Sequence, residues 1–216
     1  MRALNFGSGS GRLRLLCVGA HSDDIEIGCG ATILTLLKGR RRVEVDWVVL
    51  SAPGERAREA RRGAALFLKG AAKARVQIHG FRDGFFPYEP KIKEVFESLK
   101  QTQPDLVLTH YRHDRHQDHR VLSDLAWNSF RDHLILEYEI PKFDGDLGQP
   151  NCFVTLERET AARKARFLGQ AFGTQRDKHW FSDETFLGLM RLRGMECRAP
   201  GGYAEAFYLR KGVLSL

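Results

Sequence analysis

The chain has 216 residues, a net charge of +7 and 43% hydrophobic residues, which is the composition of an ordinary globular protein. Its four cysteines form no C-x-x-C pair, and no apolar run approaches the roughly 20 residues that span a bilayer. We therefore expect a cytoplasmic protein with reduced thiols and no stable membrane insertion. A single domain is expected over residues 1–216, of which 1–12 form a flexible leader without the apolar core of a signal peptide.

The predicted elements alternate between strands and helices through the first two-thirds of the chain. Short apolar runs predict the strands, and longer stretches that end near glycine predict the helices. The strands are predicted at residues 13–19, 43–51, 76–79, 106–108, 134–140 and 204–210, and the helices at 28–38, 55–69, 92–102, 116–131, 156–172 and 183–193. Such alternation is typical of a parallel sheet covered by helices. We therefore predict an α/β fold, a Rossmann-like three-layer sandwich with a mostly parallel sheet.

Two sequence features bear on cofactors and partners. The pair Gly28-Cys-Gly30 lacks the third glycine of the dinucleotide fingerprint, because Ile33 stands in its place, so we expect no nicotinamide cofactor. The basic residues lie on predicted helices rather than in one tail, which favours solvated helix faces, and we expect no nucleic-acid partner. The sequence leaves open whether copies of the chain form a homo-oligomer.

Two clusters of histidine and aspartate each follow a predicted strand, at residues 20–24 and 114–119. A lone residue of this kind is most often a turn or cap residue. In open α/β sheets, however, ligands bind beyond the carboxyl ends of the strands, where two clusters can converge. Histidine beside aspartate suits zinc, which in catalytic sites commonly takes three protein ligands and one water. These ligands can come from His21, Asp24 and His119, and such an open site also accepts Fe²⁺.

The same clusters contain candidates for acid–base chemistry. A helix that starts near residue 116 places His116 and His119 on one face, so that one can bind metal while the other faces the substrate. Asp23 neighbours Asp24 and need not bind the metal. A carboxylate beside a zinc-bound water is a natural general base, since zinc lowers the pKa of that water to about 7.

Four segments carry a resemblance to the LmbE/PIG-L family of zinc-dependent N-deacetylases. Ala20-His-Ser-Asp-Asp-Ile-Glu-Ile-Gly-Cys-Gly-Ala-Thr-Ile33 resembles the family signature A-H-P-D-D-E-x-x-G-x-G-G-T. His116-Gln-Asp-His119 resembles its H-P-D-H motif. Arg56-x-x-Glu59 resembles its basic motif after the second strand, and Ala204-Glu-Ala-Phe207 resembles its A-E-A-F segment. The two histidine–aspartate motifs are specific together, whereas the other two matches are weak alone.

Carried over by position, the resemblance implies that His21, Asp24 and His119 bind zinc. It implies that Asp23 is the general base and that His116 stabilises the oxyanion or protonates the leaving amine. Which of these two groups protonates the amine stays open.

The resemblance also implies that Asp118 orients an active-site histidine, as carboxylates behind metal ligands do. It implies that Arg56 contacts an anionic part of the substrate. Two departures from the family signature matter: Ser22 replaces proline and Ile25 replaces glutamate. Neither position is a proposed ligand.

The family hydrolyses the N-acetyl amide of glucosamine-type substrates, so the resemblance implies a zinc-dependent deacetylase. Its small-molecule substrate would be an N-acetylated amino sugar, a sugar nucleotide or a glycoconjugate. The long polar loop 141–150 is expected to read the rest of this substrate, with Asp144 and Asp146 as binding residues. Two alternatives stay open: a zinc amidohydrolase of another N-acyl conjugate, such as a thiol–sugar, and a non-catalytic sugar-binding module whose histidines hold a structural metal.

Overall fold

The computed structural model describes residues 11–39 and 42–213. Most of the expected leader, residues 1–10, lies outside the described residues, and Arg12 already belongs to the first strand. Throughout 11–39 and 42–213, no helix has both the length and the apolar character needed to cross a membrane.

Within the described residues, seven strands form one sheet in the order β3-β2-β1-β4-β5-β7-β6. Their bounds are β1 Arg12–His21, β2 Arg42–Ser51, β3 Lys73–Ile78, β4 Leu106–His110, β5 Leu134–Tyr138, β6 Cys152–Leu156 and β7 Tyr203–Tyr208. The first five strands pair in parallel, whereas β7 runs antiparallel to both β5 and β6. The predicted α/β fold with a mostly parallel sheet is confirmed.

Helices cover both faces of this sheet. Their bounds are α1 Asp24–Lys38, α2 Glu55–Phe67, α3 Lys91–Leu99, α4 Gln117–Ser129, α5 Arg158–Ala171 and α6 Asp183–Glu196. In β1, Leu15 and Cys17 enter the core that also contains side chains of α1, α2 and α5, whereas Leu16 and Val18 enter the core formed with α3 and α4. Because both faces of β1 are buried from Leu15 to Ala20, this part of its sequence is a continuous apolar run without alternation.

The strand order places the two histidine–aspartate clusters side by side. β1 and β4 are parallel neighbours, so their carboxyl ends lie at the same edge of the sheet. The chain leaves β1 toward β2 on one side, and it leaves β4 toward β5 on the other side. The gap between these diverging connections is the topological switch point at which open α/β sheets bind ligands.

One strand differs from the prediction. The sequence predicts no strand at Cys152–Leu156, where the structure has β6 paired with β7 over its whole length. Most side chains of β6 are only partly buried. Its conformation therefore depends on pairing with a strand far along the chain, which local sequence patterns do not report.

Helix α1 begins at Asp24 rather than at residue 28 and contains a kink. Cys29 has φ −144° and ψ 15°, which is not helical, so the helix is divided there into two pieces. The backbone N–H groups of Ala31 and Thr32, which begin the second piece, donate to the two carboxylate oxygens of Glu205 at 3.0 and 2.6 Å. A carboxylate at a helix N-terminus is favoured by the unpaired N–H groups and by the helix dipole.

A buried lysine completes this junction. Lys164 of α5 pairs with Glu205 at 2.6 Å and also donates to the carbonyl oxygen of Ile27, on the other side of the kink. Both charged groups are almost fully buried, and each has the partner that burial demands. The glutamate of the segment Ala204-Glu-Ala-Phe207 thus holds the helix that begins at Asp24.

Candidate metal centre and catalytic groups

Three side chains from the two clusters meet at the switch point. His21 ends β1, Asp24 begins α1, and His119 lies in the first turn of α4. His21 Nδ1 lies 3.2 Å from His119 Nε2 and 3.3 Å from Asp24 Oδ2, and the last two atoms are 3.6 Å apart. The structure therefore brings together the three residues predicted as metal ligands.

These separations suit a single bound cation. Ligand atoms held about 2.0–2.2 Å from zinc in a tetrahedron stand about 3.3–3.6 Å from one another. Two ring nitrogens and one carboxylate oxygen supply three corners, so a fourth corner stays open to water or substrate, as in catalytic zinc sites. The residues present fit a divalent transition metal.

The charge states of two candidate ligands are suited to metal binding. Burial alone would raise the pKa of Asp24. The nearby His119, His110 and His21 lower it by more, so the pKa of this carboxyl lies well below its usual value. Burial and the charge of His110 lower the pKa of His119 to about 4. A carboxylate and a neutral imidazole are the forms that bind metal.

Asp114 supports His119 from behind. Its Oδ2 lies 2.9 Å from His119 Nδ1, and its Oδ1 accepts the backbone N–H of His116 at 2.8 Å. The ammonium group of Lys142 lies 3.0 Å from Asp114 Oδ2. A carboxylate on the second ring nitrogen fixes the tautomer of a metal-binding histidine. The sequence analysis gave Asp114 no role. Its position just before α4, the helix that carries His119, is the signal that could have identified it.

Asp118 is buried beneath the loop that follows β3. Its Oδ2 accepts the backbone N–H of Gly84 at 2.7 Å, and its Oδ1 accepts that of Phe86 at 3.2 Å. His21 Nε2 is 3.5 Å from Asp118 Oδ2, whereas it is 3.0 Å from Asp83 Oδ1. Asp118, predicted to orient a histidine, therefore lies beside His21 but is not its nearest carboxylate.

His116 faces the three candidate ligands from the N-terminus of α4. Its ring centroid lies 4.8 Å from that of His21 and 4.7 Å from that of His119. His116 Nδ1 accepts the backbone N–H of Asp118 at 3.3 Å, so in the neutral ring the proton is on Nε2. Burial and the charge of His21 lower the pKa of His116, which favours this neutral form. The side chain thus offers one N–H donor to the site.

Asp23 is held by Arg56. Arg56 Nη2 donates to Asp23 Oδ1 at 2.7 Å, and its Nη1 donates to Thr174 Oγ1 at 3.3 Å. Burial raises the pKa of Asp23 more than Arg56 lowers it, so this carboxylate accepts a proton more readily than an exposed one. Arg56, predicted to contact an anionic part of the substrate, lies against the predicted general base.

The two predicted substrate residues of the loop 141–150 differ in their surroundings. Asp144 is exposed. Asp146 accepts the backbone N–H of Arg115 at 2.7 Å and pairs with Lys142, the lysine that also reaches Asp114. Asp146 therefore fastens the loop to the metal side of the sheet, and a role for either residue in substrate binding stays a prediction.

Two further histidines, just before the second cluster, have opposite environments. His113 is exposed. His110 is fully buried, accepts the backbone N–H of Ala20 at 3.0 Å and stacks on the ring of His119 at 3.9 Å between centroids. The ring of His110 therefore packs against the buried side of the candidate ligands, in contact with His119.

Comparison with protein families gives one matching family. The family described as PIG-L, GlcNAc-PI de-N-acetylase, matches residues 16–130 of this chain. This range contains the three candidate ligands together with Asp23, Arg56 and His116, and it excludes the loop 141–150.

Solved structures with the same fold include two deacetylases and one hydratase. N,N'-diacetylchitobiose deacetylase from Pyrococcus horikoshii is 22% identical, with 91% of this chain and 83% of that chain covered and a TM-score of 0.71. The A40926 pseudoaglycone deacetylase Dbv21 is 18% identical, with coverages of 94% and 100% and a TM-score of 0.66. GalB, a 4-carboxy-2-hydroxymuconate hydratase from Pseudomonas putida KT2440, is 17% identical, with coverages of 94% and 98% and a TM-score of 0.72. The fold alone therefore does not determine the reaction.

Proposed function

Because the chain belongs to the PIG-L family of de-N-acetylases, whose reaction is amide hydrolysis, we propose that it is a zinc-dependent hydrolase of an N-acetylated amino sugar, sugar nucleotide or glycoconjugate. One observation carries the proposal. Three ligand atoms converge at the switch point, and two acid–base side chains outside this set of three, Asp23 and His116, lie beside them. A structural metal site would have four protein ligands and no adjacent base.

The chain's own residues divide the remaining chemistry. When bound, zinc supplies Lewis-acid polarisation of the acetyl carbonyl and lowers the pKa of water. Arg56 occupies Asp23 Oδ1, so we assign proton transfer from the attacking water to Asp23 Oδ2. His116 Nε2–H donates to the carbonyl oxygen as negative charge develops there. The proton for the departing amine comes from Asp23 or from His116.

The donor set and the loops support the finer parts of the proposal. Two imidazoles and one carboxylate form a common ligand set of catalytic zinc, and the same set accepts Fe²⁺. Phe143 in the loop 141–150 is exposed and stacks on His179, so this loop offers an aromatic surface. Sugar rings pack on such surfaces, and one of the structural relatives named above is a deacetylase of N,N'-diacetylchitobiose.

The test combines metal content with product release. We expect about one zinc per chain, and release of acetate from N-acetylglucosamine, N,N'-diacetylchitobiose or a nucleotide-linked N-acetyl sugar after reconstitution with Zn²⁺ or Fe²⁺. His21→Ala, Asp24→Ala and His119→Ala should each lose metal and activity. His113→Ala is the matched control, since it removes an exposed histidine just before the second cluster.

Each alternative has its own outcome in this experiment. Turnover of N-acyl thiol–sugars but of no simple N-acetyl sugar would transfer the proposal to another amide substrate. One tightly bound zinc without hydrolysis of any N-acyl compound would favour a binding module. Full metal occupancy in all three ligand variants would refute the ligand assignment itself.

A further inference from the structure

The loop between β3 and α3 delivers an exposed carboxylate to His21. The side chain of Asp83 is 66% exposed, yet its Oδ1 lies 3.0 Å from His21 Nε2, within the normal range for a hydrogen bond. Asp118 Oδ2 is farther from the same nitrogen, at 3.5 Å. The acceptor for a proton on His21 Nε2 is therefore Asp83.

The direction of this hydrogen bond follows from the candidate metal centre. His21 Nδ1 faces Asp24 and His119, so this nitrogen must be unprotonated to bind a metal. A neutral imidazole with one free nitrogen carries its proton on the other, here Nε2. A carboxylate that accepts from Nε2 stabilises that tautomer and holds the ring in place.

Asp118 holds the backbone of the loop that contains Asp83. Its two oxygens accept the backbone N–H groups of Gly84 and Phe86, on the chain just after Asp83. Gln117 adds a third tie by donating to the carbonyl oxygen of Gly84 at 3.2 Å. Gly84 has φ +80°, a conformation that other residues adopt only with strain, so the turn is fixed by a glycine and two neighbouring residues of α4.

We propose that Asp83 is a positioning residue that selects the metal-binding tautomer of His21, and that Asp118 acts on His21 mainly by holding the loop of Asp83. The inference rests on the proposed function only in taking His21 as a ligand of the metal. It assigns to Asp83 the role that the sequence prediction gave to Asp118. Loss of a carboxylate behind a ligand typically lowers metal affinity or activity about 10–100-fold.

The first test measures the zinc affinity of the full chain by competition with a chelator. Asp83→Ala should weaken zinc binding about 10–100-fold, whereas Asp83→Asn, whose side-chain oxygen still accepts a hydrogen bond, should restore part of the loss. Asp144→Ala is the matched control, an exposed aspartate in another loop. Equal zinc affinity in wild type and Asp83→Ala would overturn the proposal, even if wild-type acetate release had already established the function.

A spectroscopic readout separates positioning from a general loss of structure. In the zinc-loaded protein, the proton on His21 Nε2 should resonate far downfield, as expected for a hydrogen bond to a carboxylate, and Asp83→Ala should move it upfield or speed its exchange. The thermal unfolding temperature should change little. An unmoved resonance would overturn the role of Asp83. So would a second zinc per chain that Asp83→Ala removes, because His21 Nε2 would then be a ligand rather than a donor.

A double-mutant cycle tests the second half of the proposal. If Asp118 acts through the loop, Asp83→Ala added to Asp118→Asn should cost much less zinc affinity than Asp83→Ala costs alone. Additive losses would show that Asp118 acts on His21 directly. Gly84→Ala, which strains the turn but removes no carboxylate, should reproduce part of the Asp83→Ala effect.

Discussion

Two adjacent aspartates of identical chemistry have different surroundings. Asp24 Oδ2 accepts the backbone N–H of His21 at 2.6 Å and faces the nitrogen atoms of the other candidate ligands. Asp23 lies toward α2, where its carboxylate accepts a hydrogen bond from Arg56. The family resemblance separated these roles by register alone, and the contacts provide a physical basis for that separation.

Exchanging either carboxylate for an amide should therefore have different effects. Asp23→Asn keeps the ligands and should lower kcat about 10²–10⁴-fold with near wild-type zinc content, because it removes the proton acceptor. Asp24→Asn should lose zinc, and added zinc should restore part of the activity. Elemental analysis beside steady-state kinetics distinguishes the two. If Asp23→Asn loses the metal while Asp24→Asn keeps it, the roles are reversed.

At the scale of elements, Lys142 and Asp146 join the loop 141–150 to the residues beside the candidate metal centre. Lys142 bridges Asp146 of its own loop and Asp114, the carboxylate behind His119. The sequence predicted a polar loop at a strand end, but it treated Asp144 and Asp146 alike. Only the structure shows that Asp144 is exposed, whereas Asp146 accepts a hydrogen bond and pairs with Lys142.

The two loop aspartates should consequently respond differently to substitution. Asp144→Ala should raise KM or change the preferred acceptor, with metal content and unfolding temperature unchanged. Asp146→Ala leaves Lys142 with one carboxylate and the N–H of Arg115 without an acceptor, so it should loosen the loop and lower kcat as well. The two variants are compared by their kcat and KM on one substrate and by their unfolding temperatures from calorimetry. Identical behaviour of both variants would refute the distinction.

Sequence patterns predicted the local elements well and the long-range contacts poorly. The strands β1, β2, β4 and β5 and most helices lie where apolar runs and periodicity predict them, since burial on both faces leaves a clear pattern. The edge strand β6, the kink in α1 and the contacts of Asp83 and Asp114 depend on residues distant in sequence. Motif resemblance identified the residues that converge at the candidate site, but it could not supply the partners that orient them.

At the scale of the whole molecule, a buried ion pair joins β7 to α5, and both of its side chains also contact α1. Lys164 and Glu205 are almost fully buried, so solvent cannot replace a lost partner. Lys164→Met should therefore lower the free energy of unfolding by about 3–5 kcal/mol, because an unpaired carboxylate is left inside. The double variant Lys164→Met/Glu205→Gln should recover part of that loss. Chemical denaturation measures both, and a loss no larger than that of the exposed-pair variant Lys38→Met would contradict the prediction.

We expect the same carboxylate to affect when the candidate site can form during synthesis. The ribosome releases His21, Asp24 and His119 well before it adds Glu205, the residue that caps the second half of α1. A nascent chain that stops short of β7 thus contains every candidate ligand but lacks the carboxylate that caps the second half of α1. We expect firm metal capture only after β7 has been synthesised and has joined the sheet, so that a nascent chain without β7 holds metal weakly.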